Sequence, residues 1–266
     1  AFRARLETVL ERAGLQDDLI TIGLRMPPGS FDEATAARFV EARHLVEARL
    51  AEAGLGDLVR RHDPEAFNPY ASLAENLLFG EAVSEELAPH RLGSHPVIRE
   101  ALARHGLTER FFEIGVKAAE LVTDLFRDLP PGHPFFEQYS FVDEEVLPQL
   151  DSALRRLRND NAANLPAADK ALIESLPFLL VVQRHRLGMI DETLRAAIVA
   201  LRRDLRDTAP DLLKGVSVFD PDRLTPGLTL LDNVLFGRVA YGRAAAAERV
   251  PEVVRDVLSE LGLLGE

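Results

Sequence analysis

The sequence contains no cysteine, which excludes disulfide bonds, thiolate metal sites and a cysteine nucleophile. It also lacks a phosphate-binding loop of the form G-x-x-x-x-G-K-[ST], so no segment can cradle a nucleoside triphosphate in the P-loop manner. The longest apolar run, around Leu176 to Val182, is far shorter than the roughly 20 residues that a membrane-spanning helix needs. We therefore expect no direct membrane insertion and a cytoplasmic location.

Positive charge is also scarce. The 31 Lys and Arg residues are outnumbered by 43 Asp and Glu residues, which gives a net charge of −12. A nucleic-acid surface needs clustered Lys and Arg, so we expect no nucleic-acid partner. The arginines are mostly interleaved with acidic residues at helical spacing, a pattern typical of solvated helix faces. The apolar content of 47% is enough for a substantial core.

A segment that occurs twice is the most informative feature of the sequence. Asp63 to Gly80 recurs as Asp220 to Gly237, and the shift is constant (220 − 63 = 157 and 237 − 80 = 157). Both copies begin with Asp-Pro, a pair typical of a helix start. Both then show capping-box spacing before an apolar run, and both end in glycine. The expected structure is a turn, a cap, a short helix and a glycine stop in the left-handed conformation.

The residues expected to organise the two copies occupy matching positions and have structural rather than catalytic roles. A hydroxyl residue and an acidic residue three positions later should cap the helix, and the asparagine should satisfy backbone groups. The phenylalanine should pack, and the glycine should end the helix. These residues are Ser72, Glu75, Asn76, Phe79 and Gly80 in the first copy, and Thr229, Asp232, Asn233, Phe236 and Gly237 in the second.

The runs Ser72 to Gly80 and Thr229 to Gly237 resemble the segment that follows the Q-loop in the ATP-binding domains of ABC transporters. In that family, a Thr/Ser-x-x-Glu-Asn-Ile/Leu-x-Phe-Gly run opens the helical subdomain. The second copy continues through Ala247 to Val250 and Val254 to Leu263, which resembles the helix leading up to the ABC signature. The chain ends before the expected signature, so we expect a piece of a longer protein.

The resemblance implies the helical subdomain only, because the family's catalytic motifs are missing. There is no Leu-Ser-Gly-Gly-Gln/Glu signature, no apolar run ending in Asp-Glu, and no glutamine just upstream of either copy. The resemblance therefore implies no catalytic, cofactor-binding or metal-binding residue in this chain. ATP and Mg are expected only in the full-length parent ATPase. The implied partners are the rest of an ABC ATPase and its transmembrane domains, and a homodimer is also considered.

Larger repeats surround the duplicated segment. A helix expected from Asp32 has a counterpart from Asp191 (191 − 32 = 159), so a two-residue insertion or deletion separates this shift from that of the duplicated segment. A second repeat relates residues 14–23 to 106–115 (106 − 14 = 92). The expected division is a first helical unit over 1–115, a central helical connector with an aromatic cluster over 116–187, and a second, truncated helical unit over 188–266.

The apolar periodicity predicts a mainly α fold, with a helical bundle-like architecture of two related helical units and few or no short strands. One amphipathic helix is expected to place Arg43 on its solvated face. Helices are also expected from Arg3 to Gly14 and from Ala167 to Leu176, with Pro177 ending the latter. The run 178–182 fits either a strand or a helical turn.

The leading functional hypothesis is a cytoplasmic helical domain of an ABC-transporter-like ATPase, non-catalytic alone, with a coupling, regulatory or interaction role. The alternative is a free-standing α-helical protein–protein interaction module unrelated to ATP. A third hypothesis, an enzyme, requires a pocket that gathers several of His95, His105, His133 and Glu137. The histidines lack the spacing of an H-E-x-x-H motif, so we expect no metal site.

Overall fold

The computed structural model describes residues 14–130, 132–186, 188–240 and 242–265. The fold is mainly α, as predicted, and the described residues form two small two-stranded antiparallel sheets. Across these described ranges, no helix is both long and apolar enough to cross a bilayer. The helix predicted from Arg3 to Gly14 lies outside the described residues, except for Gly14 itself.

The elements follow one another in this order. The helices are α1 (Gln16–Arg25), α2 (Glu33–Glu52), α3 (Leu73–Leu78), α4 (Pro96–Arg104), α5 (Thr108–Phe126), α6 (Pro134–Tyr139), α7 (Leu147–Asn159), α8 (Ala167–Leu179), α9 (Val182–His185), α10 (Glu192–Thr208), α11 (Leu230–Leu235) and α12 (Ala244–Glu260). The strands are β1 (Val59–Arg61), β2 (Gly80–Ala82), β3 (Val216–Val218) and β4 (Gly237–Val239). Short 3₁₀ turns connect several of these elements.

Contacts divide the chain into two compact units. The first unit consists of Ala1–His62 together with Phe219–Glu266, and the second unit consists of Asp63–Val218. The second unit is therefore continuous in sequence, whereas the first is assembled from both ends of the chain. The predicted division into 1–115, 116–187 and 188–266 follows sequence repeats, which is a different criterion, and it stays a prediction.

Each unit contains one two-stranded antiparallel sheet of the same design. In the first unit β1 pairs with β4, so that Arg60 lies opposite Arg238. In the second unit β2 pairs with β3, so that Glu81 lies opposite Ser217. Strands β1 and β3 each come shortly after a long helix, and β2 and β4 each come directly after a short one. Each sheet therefore ties the end of a long helix to the end of a short helix.

The core of the first unit lies between the long helices α2 and α12. Helix α2 buries Phe39, Ala42 and Val46 at positions i, i+3 and i+7, which form one stripe. Helix α12 contributes a matching stripe that includes Val250 and Val254, both 0% exposed. Burial of these apolar side chains stabilises the unit by roughly 25 cal/mol for each Å² removed from water.

The core of the second unit is centred on α5 and α8, which approach each other closely. A Cβ atom added at Gly115 of α5 would lie 2.1 Å from the carbonyl oxygen of Ile173 on α8. The rings of Phe111 and Phe178 pack beside this crossing, with their centroids 5.3 Å apart. A glycine inside a helix lowers its intrinsic stability, and here it allows the two backbones to meet.

The structure corrects one predicted helix end and answers one question that the sequence left open. Pro177 does not end α8, which continues to Leu179 with the proline inside its last turns. A proline has no backbone N–H, so α8 loses one hydrogen bond at this position. Only two helical residues follow Pro177, so the effect on the rest of the helix is small. The run 178–182 is neither a strand nor one helical turn, because α8 ends within it, Leu180 is extended and Val181 forms an isolated bridge with Ser72.

We predict that Gly80→Ala destabilises the second unit by about 1–3 kcal/mol, a cost typical of overpacking a tight contact. A Cβ atom at this position would lie 2.4 Å from the backbone oxygen of Ser217, so β2 and β3 would have to separate. Urea unfolding followed by circular dichroism measures the change. The control is Gly56→Ala, whose new Cβ would have no described atom within 4 Å apart from its chain neighbours. Equal stability of the two variants would contradict the prediction.

Candidate functional site: the two motif segments

The duplicated stretches form two segments with the same backbone course. We call residues 63–80 the first motif segment and residues 220–237 the second. Each opens with an aspartate that accepts a backbone hydrogen bond two residues on, from Glu65 to Asp63 and from Asp222 to Asp220, both at 2.8 Å. This bond closes the turn expected at the start of each copy, and no helix begins at the Asp-Pro pair itself.

The short helix in each motif segment is capped by its hydroxyl residue. Ser72 accepts a hydrogen bond from the Glu75 amide at 3.1 Å, and the Glu75 carboxylate accepts one from the Ser72 amide at 2.7 Å. This reciprocal pair is the capping box that the spacing predicts. In the second segment, the Thr229 hydroxyl accepts a hydrogen bond from the Asp232 amide at 3.1 Å.

The asparagine in each motif segment ties the turn to the short helix. The Asn76 carboxamide accepts a hydrogen bond from the Asn68 amide at 2.8 Å and donates one to the Asn68 carbonyl at 2.8 Å. Asn233 makes the same reciprocal pair with Thr225, at 2.7 and 2.9 Å. Because a side-chain amide offers both a donor and an acceptor, it copies a strand-like backbone pairing that a carboxylate could not make.

The left-handed residue at the end of each short helix is the phenylalanine, so the prediction of a glycine stop is wrong. Phe79 has φ 49° and Phe236 has φ 46°, whereas Gly80 and Gly237 begin β2 and β4. These glycines are needed for a different reason. A Cβ atom at Gly237 would lie 2.5 Å from the carbonyl oxygen of Arg60 on the paired strand.

A buried arginine fixes the first motif segment in the second unit. Arg202 on α10 is 6% exposed, and its guanidinium donates to a set of backbone carbonyls on that segment. Its Nε donates to the Asn76 carbonyl at 2.6 Å, and its Nη1 donates to the Pro64 carbonyl at 2.7 Å. Further donations reach the Asp63 and Ala66 carbonyls at 3.2 and 3.3 Å.

A second buried arginine does the same in the first unit. Arg43 on α2 is 1% exposed and donates to the carbonyls of Asn233, Asp220 and Arg223 at 3.0, 3.1 and 3.1 Å, and also to that of Pro221. The ring of Phe236 covers the guanidinium at 4.7 Å, as the ring of Phe79 covers the guanidinium in the second unit at 5.1 Å. The left-handed turn thus places an aromatic face on a desolvated cation.

Burial penalises the charge of both guanidinium groups. It lowers the pKa of Arg43 to about 10 and that of Arg202 to about 10, with nearby charges as smaller causes. Both values are well above neutral pH, so both side chains remain charged and keep their full set of donors. The site in each unit is therefore a cationic anchor surrounded by carbonyl oxygens.

In each unit, the anchoring arginine and the motif segment that it binds come from different copies of the repeat. Arg43 and Arg202 are equivalent residues at the helix shift (202 − 43 = 159). The helix of the first copy binds the second motif segment, and the helix of the second copy binds the first motif segment.

The sequence-based interpretation missed both anchors. It placed Arg43 on a solvated face, and the structure buries Arg43 in the core stripe of α2. The available signal was position: Arg43 lies four residues after Phe39 and three before Val46, both buried. Arg202 likewise lies four residues after the buried Ile198.

The chain that precedes each long helix supports the motif segment from another side. In the second unit, the Leu73 amide donates to the Leu180 carbonyl at 3.0 Å and the Gln183 amide donates to the Pro69 carbonyl at 3.1 Å. In the first unit, the Leu230 amide donates to the Met26 carbonyl at 2.8 Å. The start of each short helix therefore receives a partner from an extended residue just past α8 or α1.

The histidines considered for an enzyme site have different surroundings. His105 lies 3.4 Å from the Asp204 carboxylate, and His133 accepts a hydrogen bond from the Phe135 amide at the start of its own helix. His95 precedes α4, with its Nδ1 buried. Within the part of the chain that the structure describes, no group of three or more His, Asp or Glu side chains is arranged to hold a metal ion.

The fold and site define a class of protein: a mainly α protein with a duplicated motif segment that is anchored by a buried arginine. No family model matches the chain, and searches of curated proteins and of solved structures gave no match either. Any further assignment therefore depends on the motif segments themselves.

We predict that Arg202→Met destabilises the second unit by about 3–5 kcal/mol, because several buried carbonyls lose a charged donor at once. Arg202→Lys keeps the charge but cannot reproduce the forked donor geometry, so it should recover less than half of the loss. Chemical unfolding measures both changes.

The matched control is Arg203→Met on the neighbouring position of the same helix. Arg203 pairs with Glu65 at the surface, where the two side chains are 48% and 57% exposed. Such pairs contribute at most about 1 kcal/mol. A larger loss for Arg203→Met than for Arg202→Met would show that the buried anchor is not the stabilising contact.

We predict that His185 makes the second unit less stable in acid. Burial lowers the pKa of His185 to about 4, with Arg184 as a smaller cause, and its Nδ1 accepts a hydrogen bond from the Val181 amide at 2.8 Å. An unfolded histidine titrates near 6.5, so the unfolded state binds more protons between pH 6.5 and 4, and stability falls as the pH falls through that window. The expected loss is roughly 1–2 kcal/mol, reduced by partial exposure.

Urea unfolding of the wild type and of His185→Gln at pH 7.5 and pH 4.5 isolates this contribution from other titrating groups. The glutamine can accept the same hydrogen bond without titrating, so its pH slope should be smaller. Identical slopes for the two proteins would refute the role of His185.

Proposed function

We propose that this chain is a helical domain of an ABC-transporter-like ATPase, located on the cytoplasmic face of a membrane and non-catalytic alone. Its role is to couple the ATPase to the transmembrane domains or to regulate the ATPase. It presents two firmly held motif segments to one of these partners. ATP and Mg bind elsewhere in the full-length protein. The observation that carries the proposal is the shared design of the two motif segments, described above.

The support comes from the match between sequence and local structure. The positions that resemble the ABC run each have a distinct physical role, since Ser72 and Glu75 cap the helix, Asn76 ties the turn, and Phe79 covers the anchor. The second motif segment repeats the asparagine and phenylalanine contacts with Asn233 and Phe236. The residues shared with the ABC run are therefore among those that hold each motif segment in place.

The geometry suits the transmission of movement rather than chemistry. Each motif segment consists of a turn and a short helix, and a charged side chain with several hydrogen bonds fixes it to a long helix. A displacement of the segment therefore moves the helix that carries the arginine, because breaking a buried charge-assisted contact costs several kcal/mol. A coupling domain needs such a stiff connection between an exposed turn, such as residues 63–65 or 221–223, and a helix.

A second candidate function is a free-standing α-helical protein–protein interaction module. The observation that favours it is an apolar row formed by α1 and its two capping residues: Leu15, Leu19, Ile22 and Met26 are 45–56% exposed. Contiguous exposed apolar side chains are typical of interaction surfaces.

Sequencing the complete reading frame separates the two candidates. The proposal of an ABC-type ATPase predicts a P-loop lysine upstream of this region. It also predicts a signature motif and an acidic magnesium-binding residue downstream. A reading frame without these motifs would overturn the proposal and favour the interaction module.

We predict that the isolated chain does not bind Mg-ATP, because its sequence provides no P-loop. Isothermal titration calorimetry with up to millimolar nucleotide should give only heats of dilution. An ABC ATP-binding domain with an intact P-loop serves as the positive control under the same buffer conditions. Saturable binding with a dissociation constant in the micromolar range would contradict the proposal that ATP binds outside this chain.

A further inference from the structure

Helix α1 has an apolar face that its own unit leaves exposed. Leu15 and Leu19 are each 45% exposed, Ile22 is 55% and Met26 is 56% exposed. Leu19 and Ile22 lie within α1, and Leu15 and Met26 are the capping residues at its two ends. At ideal helical spacing, intervals of four, three and four residues place these four positions within an arc of roughly 60°. The opposite side of the helix faces the core through Leu24, which is 5% exposed. The helix is therefore apolar on two sides, and one of them lacks a covering element among the described residues.

The related helix α5 shows that a face of this kind is built for helix packing. Residues 14–26 match residues 106–118 at the shift of 92, so the four exposed residues of α1 correspond to Leu107, Phe111, Ile114 and Ala118. In α5 these residues are at most 9% exposed. Both faces are apolar, but the face of α5 is buried and the face of α1 is exposed.

A glycine is shared by the two faces. Gly115 in α5 allows α8 to approach closely, since a Cβ atom there would lie 2.1 Å from the Ile173 carbonyl oxygen. Gly23 occupies the matching position in α1, and no described atom outside its own helix lies within 4 Å of a Cβ atom built on it. A glycine inside a helix costs up to about 1 kcal/mol relative to alanine, so an unfilled approach site is an unexplained cost.

The exposed face is complementary to itself in an antiparallel arrangement. If two α1 helices cross about a two-fold axis midway between residues 20 and 21, Leu19 meets the partner's Ile22 and Leu15 meets the partner's Met26. Apolar residues at this four-three-four spacing are those that form the seam between paired helices.

The flanking charges favour the same arrangement. Asp18 and Arg25 are both exposed and lie on the same flank of the apolar row. In an antiparallel pair equal flanks face each other, so Asp18 of each copy lies near the partner's Arg25. Each contact then occurs twice, as a two-fold symmetric interface requires. In a parallel pair these two charges would not meet.

We propose that α1 is a self-association helix, through which two copies of this chain form an antiparallel, two-fold symmetric dimer. The interface is one short helix from each copy, which is smaller than the interfaces of stable dimers. The dimer is therefore weak, with a dissociation constant of roughly 10 μM to 1 mM. The proposal does not depend on the ATPase assignment, because it uses only the surface of the first unit.

Sedimentation velocity on the full chain from about 5 μM to 1 mM, a range chosen to bracket the expected dissociation constant, tests the proposal. The wild type should shift from monomer to dimer as the concentration rises. Ile22→Asp should remain monomeric, because a charge would be buried in the seam. Leu125→Asp is the matched control: Leu125 lies on α5 and is 57% exposed, so this variant should associate like the wild type.

A charge exchange tests the orientation. Asp18→Arg alone and Arg25→Asp alone should each weaken the dimer several-fold, because each places like charges opposite each other. The double variant, Asp18→Arg with Arg25→Asp, should restore most of the lost affinity. Circular dichroism on each variant confirms that the fold is retained.

Three outcomes would overturn the proposal. The wild type could stay monomeric at every concentration, which would show that α1 does not mediate self-association. Association could be unaffected by Ile22→Asp, which would place the interface elsewhere. The double charge variant could associate no better than the single variants, which would exclude the antiparallel pairing.

Discussion

The structure depends on the insertion of a charged guanidinium among backbone carbonyls. The turns at residues 63–66 and 220–223 point several carbonyl oxygens inward, and in each unit one arginine satisfies them. Unpaired, these oxygens and the buried cation would each cost several kcal/mol, so neither is tolerable without the other. Arginine suits this position because its planar group directs five donors at fixed angles, whereas lysine directs three from one point.

The remaining features of each motif segment follow from this contact. The short helix must end so that its aromatic residue covers the guanidinium, and the left-handed conformation at Phe79 and Phe236 achieves that. A left-handed phenylalanine is strained, and such strain persists only where the surroundings fix it. The strand that starts at the next residue supplies part of that constraint, and it requires glycine because the paired backbone lies so close.

Local signals in the sequence predicted the local structure, and long-range contacts explain where prediction failed. The helix caps at Ser72 and Thr229 depend on residues three positions apart, so spacing alone was sufficient. The burial of Arg43 depends on carbonyls 177 to 190 residues away, and a rule that places charged residues in solvent cannot anticipate it. Glycine was expected in the left-handed position because it has no Cβ atom. In the structure, each glycine instead begins a strand, where the paired backbone lies too close for a side chain.

The crossed anchoring changes what the internal duplication means. If each helix held the motif segment that follows it, the two copies would be consecutive modules, and either could be lost without exposing the other's buried charge. Instead, deleting one copy would leave the arginine of the other without acceptors and its motif segment without donors. The two copies therefore constrain each other at every position that contributes to the anchor. A change in the backbone course of one motif segment must be accommodated by a helix that belongs to the other copy, because the anchor binds backbone carbonyls.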